Sequence, residues 1–368
     1  MRGHTHGVGG VAFFNDGRRA VTSSWDKTLR IWDVQEGTLL GEPLQGHRGS
    51  VYSVAVSLDD KLIASGGQDN TVIIWDVERK QMEFKLVKHT RSVNCVCFSP
   101  DGKRLASGST DETAVIWDTK TGAVLTTLVI EGLVEGFWNA VFSVAFSPDG
   151  LKLACVTWDG IIRVCHTDNA KLLLKFKAHE YVVRSIVWSP DAQQLISASY
   201  DKTVKFWNSS TGHQIGQPCT GHTSRIRSLA IASDGSFIAT ASSDKTVRLW
   251  STKTHQQMGQ ALEHSNAVQC VAISSDGALL ASGAGGGNNY LWSIGNTLQR
   301  QDGQEEYKEE LEVVQQLRIS KIVSLQSLLF FHHIHVVESQ QQVLPTPPAE
   351  VSAPFRCKGG SCMITCAE

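Results

Sequence analysis

The chain has 368 residues, room for two ordinary domains or one large repeat array. Its 34 Lys and Arg against 36 Asp and Glu leave a formal net charge of −2, which argues against a strongly electropositive nucleic-acid binder. With 41% apolar and 19% charged residues, it is not a chain disordered throughout. The start, Met1-Arg2-Gly3-His4-Thr5-His6, lacks the apolar core of a secretion signal. No run of about 18 apolar, charge-free residues reads as membrane-spanning. The nearest approach, 322–337, is interrupted by Gln326, His332, His333 and His335. Nine cysteines without a secretion signal read as reduced thiols, which points to the cytoplasm or the nucleus.

One phrase then recurs along the chain, centred in turn on Asp26, Asp69, Asp111, Asp159, Asp201 and Asp244. The intervals are 43, 42, 48, 42 and 43 residues. A seventh copy, Leu280-Ala281-Ser282-Gly283 to Leu291-Trp292, has lost the aspartate and gained Gly285-Gly286-Gly287. Each unit opens on a His-containing pair such as Gly46-His47, and alternating apolar residues such as Val51, Val54 and Val56 follow. Then comes a turn such as Ser99-Pro100-Asp101-Gly102 or Ser274-Ser275-Asp276-Gly277. Asp-Gly suits a left-handed backbone, so these are tight strand connections. Two β-branched runs flank an Asp-x-Thr turn, and a weaker strand closes the unit, as at 81–87. Four short strands per unit of about 40–45 residues predict an all-β propeller blade.

Trp32-Asp33, Gly46-His47 with Trp75-Asp76, and Trp117-Asp118 resemble the WD-repeat (WD40) family, over residues 3 to about 295. The resemblance implies a seven-bladed β-propeller of four-stranded antiparallel blades. The likeness of the blades to one another also resembles the repeat arrays of NACHT-type signalling proteins. The family implies a hydrogen-bonded network of His, Ser or Thr, Asp and Trp within a blade. Blade 1 supplies His4, Thr22, Asp26 and Trp32, and blade 2 supplies His47, Ser65, Asp69 and Trp75. Blade 3 supplies His89, Ser107, Asp111 and Trp117. Blade 5 supplies His179, Ser197, Asp201 and Trp207, and blade 6 supplies His222, Thr240, Asp244 and Trp250. Five repeats of one His-Ser-Asp set belong to a scaffold and not to an active site, so these residues read as structural. A buried polar group is costly unless partnered, and a completed network fixes a loop.

Two blades depart from the pattern. In blade 4, Phe137, Cys155 and Cys165 replace His, Ser and Trp, and Asp159 is expected to stand without its partners. An insertion at 129–136 lengthens the loop into that blade. Cys155 and Cys165 are expected on adjacent strands as thiols. Blade 7 keeps His264, Ser282 and Trp292 without the aspartate. Blades 4 and 7 are therefore expected to be the softer ones. Because the first unit starts at Gly3-His4, no N-terminal residues are expected to donate a strand. Blade 7 should take its outer strand from about 296–301 or lack it, unless the chain is a piece of a longer protein.

Propellers that this chain resembles bind partners on the face carrying the loops before the first strand and between the second and third. The matching positions include Trp25, Tyr52, Phe142, Trp158, Arg184, Tyr200, Arg225 and Arg227. Most fall in blades 4 to 6, and Trp, Tyr and Arg are enriched in interaction hot spots. The cluster is basic and aromatic, so an acidic or phosphorylated peptide is the expected ligand class.

Residues 301–338 have an apolar pattern consistent with an amphipathic helix, and 339–368 read as a disordered tail carrying Cys357, Cys362 and Cys366. Their spacing matches no zinc motif. Gly7-Val8-Gly9-Gly10-Val11-Ala12 mimics a dinucleotide fingerprint but lies inside blade 1. The expected protein is a non-catalytic scaffold binding protein or peptide partners, with no cofactor, metal, nucleic acid or membrane. The alternatives are a sensing or adaptor module derived from a NACHT-type protein and a propeller hydrolase. The second would need acidic or His residues converging on the channel.

Overall fold

The computed structural model describes residues 1–130 and 139–299. They belong to the first of two compact units, Met1–Gly303. Phe137, most of the insertion before it, the helix expected at 301–338 and the tail lie outside the described residues. The strands form seven antiparallel sheets taken in chain order, which are the seven blades. Six sheets have four strands, and the seventh has three among the described residues. The first strands are Val8–Phe13, Val51–Val56, Val93–Phe98, Val141–Phe146, Val183–Trp188, Ile226–Ile231 and Val268–Ile273. Each packs against the first strand of the next blade, and the seventh packs against the first. The fold is the expected seven-bladed propeller.

The sequence pattern follows from the packing. The second strand of a blade, such as Arg104–Ser109, is covered on both faces by neighbouring blades and is buried almost throughout. Small residues are needed there. A Cβ on Gly108 would lie 2.6 Å from Val141 of the next blade, and one on Gly66 would lie 2.6 Å from Val93. The turn between the first two strands holds a left-handed residue in every blade: Gly17, Asp60, Gly102, Gly150, Ala192, Gly235 and Gly277. The repeated Asp-Gly therefore marks a backbone requirement.

The core is divided into seven clusters, one between each pair of neighbouring blades. Val72, Ile74, Val93, Leu105 and Trp117 fill the seam between blades 2 and 3. Polar groups cross the seams as well. The hydroxyls of Ser53, Ser143, Ser185 and Ser228 accept the amides of Val96, Ile186, Leu229 and Val271 on the next blade, at 3.1–3.4 Å. The closing seam is the thinnest. It buries Val8, Val11, Cys270 and Ala281, with Phe13, Ala272 and Leu291 partly covered.

Ring closure follows the second expected alternative, a blade 7 without an outer strand among the described residues, and departs from expectation at the N-terminus. Residues 294–299 form a short helix, Ile294–Gln299, instead of an outer strand. Its Ile294 is buried in the core between blades 6 and 7. The N-terminus does contribute. Arg2 bridges antiparallel to Asn288, and the Asn289 amide donates to the Met1 carbonyl at 3.3 Å. The contact is a single isolated bridge, and His4, two positions later, is anchored to Asp26 and Thr22.

Cys155 and Cys165 lie on neighbouring strands of blade 4, Lys152–Thr157 and Ile161–His166, as buried free thiols. Burial pushes both thiols up.

The thin seam has a measurable consequence. Native-state hydrogen exchange should show the amides of Val268–Ile273 and Asn289–Ser293 opening before those of Val93–Phe98. Equal protection at both places would contradict the seam as the weak point.

Candidate functional site

The expected network is present in blades 1, 2, 3, 5 and 6. His Nδ1 lies 2.7–3.0 Å from the Asp carboxylate. His Nε2 lies 2.8 Å from the Ser or Thr hydroxyl. The Trp indole donates to that same oxygen at 2.8–2.9 Å. The partners fix the protons. A carboxylate only accepts, so Nδ1 carries the hydrogen. An indole only donates, so the hydroxyl oxygen accepts from it. Burial is the main reason that His4 and His179 titrate below the usual range, and their aspartates offset only part of it.

The order Asp–His–Ser is also that of a hydrolytic triad. Here the hydroxyl is sealed: Thr22, Ser65, Ser107, Ser197 and Thr240 are fully buried, and each already serves a Trp. No substrate can reach these oxygens, so the network is structural. Burial alone would raise the aspartates, but hydrogen bonds from His, Thr and backbone amides hold Asp26, Asp69, Asp111, Asp201 and Asp244 below the usual carboxylate range. The threonine two positions on was not singled out as a member. Thr28, Thr71, Thr113, Thr203 and Thr246 each donate to the Asp at 2.6–2.8 Å. The recurrent Asp-x-Thr was its signal.

Blade 4 corrects the expectation of a bare Asp159. The Arg163 guanidinium donates to it at 2.8 Å and to the Thr157 hydroxyl at 2.8 Å. Arg163 is buried, opposite Cys155 on the neighbouring strand, where the other blades pack their relay. An ion pair thus replaces the imidazole relay, and it keeps Asp159 ionised against its own burial. In blade 7, His264 turns its Nδ1 to the Leu262 carbonyl at 3.0 Å and keeps Ser282 at 2.8 Å. Trp292 is farther off, at 3.2 Å.

The relay fixes the turn that carries the candidate binding residues. The amides of Trp25, Gln68, Thr110, Tyr200 and Ser243 bond at 2.8–2.9 Å to the carbonyl of the residue just before the first strand of the same blade. These positions therefore share one face. Six of the candidates are brought together in two groups. Phe142 and Trp158 have ring centres 6.0 Å apart, and the Arg184 guanidinium lies 5.5 Å from the Phe142 ring centre. The guanidinia of Arg225 and Arg227 both lie 5.2 Å from the Tyr200 ring centre. Arg227 also donates to the Tyr200 hydroxyl at 3.0 Å and to Ser243 at 2.8 Å. Trp158 remains half exposed. Trp25 is exposed but touches neither group, while Tyr52 lines the central channel. One residue was missed. Tyr181, about two-thirds exposed, sits in the loop into blade 5, its carbonyl beside Gly160. Its position in the loop carries no repeat signature.

The channel cavity is lined by first-strand residues of all seven blades and contains no Asp, Glu or His. Among the described residues, no cluster of three His, Cys, Asp or Glu could hold a metal, and no helix is long and apolar enough to cross a membrane.

Comparison with known proteins agrees with the repeat. The family description "IFT122 first beta-propeller" matches residues 7–188. The description "WD domain, G-beta repeat" matches residues 170–208, 213–251 and 256–293. The chain is similar to Denticleless protein homolog A of Xenopus laevis, 41% identical over 88 residues, which is 22% of this chain and 12% of that protein. It is similar to WD repeat-containing protein 1 of Gallus gallus, 41% identical over 68 residues, 18% and 11% of the two chains. It is also similar to WD repeat-containing protein VIP3 of Arabidopsis thaliana, 50% identical over 50 residues, 14% and 16%. Each match spans less than a fifth of the relative's own length.

Two outcomes follow from the site. Arg163→Met strands a half-buried carboxylate and should cost roughly 3 kcal/mol in urea denaturation, most of it recovered when Asp159→Asn is added. A loss unchanged by the second substitution would show that Arg163 acts through packing alone. The pH dependence has a defined sign. His4, His179 and His264 are lowered in the fold, so the unfolded chain takes up protons first. That stability is present above about 6.5 and fades as pH falls. The lowered aspartates add a second loss below about 4. The urea midpoint should therefore drop from pH 7 to 5 and drop again below 4. A midpoint constant across that range would refute the assignment.

Proposed function

The chain carries WD40 repeats on a seven-bladed propeller, and from that premise we propose that it is a non-catalytic interaction scaffold whose binding face lies over blades 4 to 6. The observation that carries this is the pair of aromatic–guanidinium groups, Trp158–Phe142–Arg184 and Tyr200 with Arg225 and Arg227, gathered on one face. Rigid Trp and Tyr offer contact area at little entropic cost, and Arg adds directed donors. The turns beneath them are held by the sealed relay, so the surface is preorganised. The ligand class that fits is an acidic or phosphorylated peptide of a protein partner, because the cluster holds three guanidinia and no carboxylate. The setting is the cytoplasm or the nucleus, in keeping with the buried free thiols. None of the relatives named above is a NACHT-type protein, so the sensing-module alternative draws no support from them. The hydrolase alternative draws no support from the channel lining, which among the described residues holds no carboxylate or imidazole.

The test is capture of partners from lysate by the intact chain and by a Trp158→Ala/Tyr200→Ala/Arg225→Ala variant of unchanged melting temperature. Specific partners should be lost from the variant, each anchor contributing about 2 kcal/mol. Identical capture by both would place the interaction surface elsewhere.

A further inference from the structure

The channel mouth beneath this face has a charge that the fold does not balance. Arg184 and Arg227 occupy equivalent positions, second in the first strands of blades 5 and 6. Both line a cavity of about 210 Å³ on the propeller axis. At roughly 30 Å³ per water, this is room for one small oxyanion with a few waters. Among the described residues, neither arginine forms an ion pair, and no carboxylate lines the cavity. Both side chains are half-buried, and their fixed bonds run to neutral acceptors. Arg184 donates to the Phe142 carbonyl at 3.1 Å, and Arg227 donates to Ser243 and the Tyr200 hydroxyl. A guanidinium has five N–H donors, so these bonds leave others unused.

Two neutral donors join them. Tyr52 and Gln269 line the same cavity from blades 2 and 7, and neither side chain has a hydrogen-bond partner among the described residues. Two partly desolvated cations without a counter-charge are costly unless an anion completes them.

We propose that the mouth of the channel is an oxyanion subsite, in which Arg184 and Arg227, with Tyr52 and Gln269, take one phosphate or carboxylate group carried by a bound peptide. This rests on the reading of the surrounding face as a peptide-binding surface, and it adds which group enters the axis and which residues hold it. The subsite selects charge and size. The aromatic residues around it supply contact area.

The probe is inorganic phosphate, titrated calorimetrically into the full chain at constant ionic strength, with chloride as the reference anion. Phosphate should bind saturably, and Arg184→Gln or Arg227→Gln should each weaken it by about tenfold or more, as expected for loss of a charge-assisted bond. Arg79→Gln, on the exposed surface of blade 2, should leave binding unchanged. N-acetyl-phosphoserine amide and N-acetyl-glutamate amide then separate the two sources of the oxyanion by which binds more tightly. Binding no better than chloride, or equal losses in all three variants, would overturn the subsite. Each variant is first melted. If a Gln variant unfolds, Arg227→Lys replaces it, with binding weakened less than tenfold because the charge remains. The subsite and the face reading can fail separately. Absent phosphate binding, together with partner loss in the Trp158/Tyr200/Arg225 variant, removes the subsite and keeps the face. Arginine-dependent phosphate binding, with partner capture unaltered, keeps the subsite and removes the face.

Discussion

One buried hydroxyl in each of six blades organises much of this protein. In blade 3 it is Ser107, which accepts the Trp117 indole and lies 2.8 Å from His89 Nε2, while the other ring nitrogen holds Asp111. The directions of these bonds are forced by what an indole and a carboxylate are able to do. The relay runs from the middle of a blade to the turn at its edge. It therefore converts the packing of a core strand into the position of a surface loop. Because the imidazole is sealed and bonded at both ring nitrogens, the relay is a partnered buried network.

The two exceptions show what the relay supplies. Blade 4 has lost the hydroxyl and the indole, and Arg163 reaches the same aspartate from inside the blade. The turn survives by a different electrostatic route, and it carries Trp158, the most exposed aromatic of the binding groups. Blade 7 has lost the aspartate, and its histidine is satisfied by a backbone carbonyl instead. That blade also holds the thin closing seam and lacks a full outer strand among the described residues. The ring closes through four buried residues and the first two of the chain.

The proposed binding face is a consequence of this rigidity. Residues at one register position in neighbouring blades converge because the blades are near copies of one another. Aromatic rings and guanidinia then stack between blades, as Tyr200 of blade 5 does with Arg225 and Arg227 of blade 6. The same convergence brings Arg184 and Arg227 to the channel, where the fold provides no opposing charge.

The repeat period, the seven blades, the five relays and the face positions were legible in the sequence, because each is a local pattern copied several times. Periodicity reports strands, and Asp-Gly reports a left-handed turn whatever surrounds it. Three features were not legible. Arg163 as a partner of Asp159 depends on a buried side chain crossing a strand pair. The helix at Ile294–Gln299 and the bridge from Arg2 to Asn288 depend on how a ring closes, with ends some 290 residues apart in the chain. The uncompensated charge at the channel depends on seven strands meeting on one axis. The sequence determined the repeating unit by itself, since that unit is specified by near neighbours. The tertiary structure alone decided what the units do to one another, because contacts between first strands and between chain ends leave no period to read.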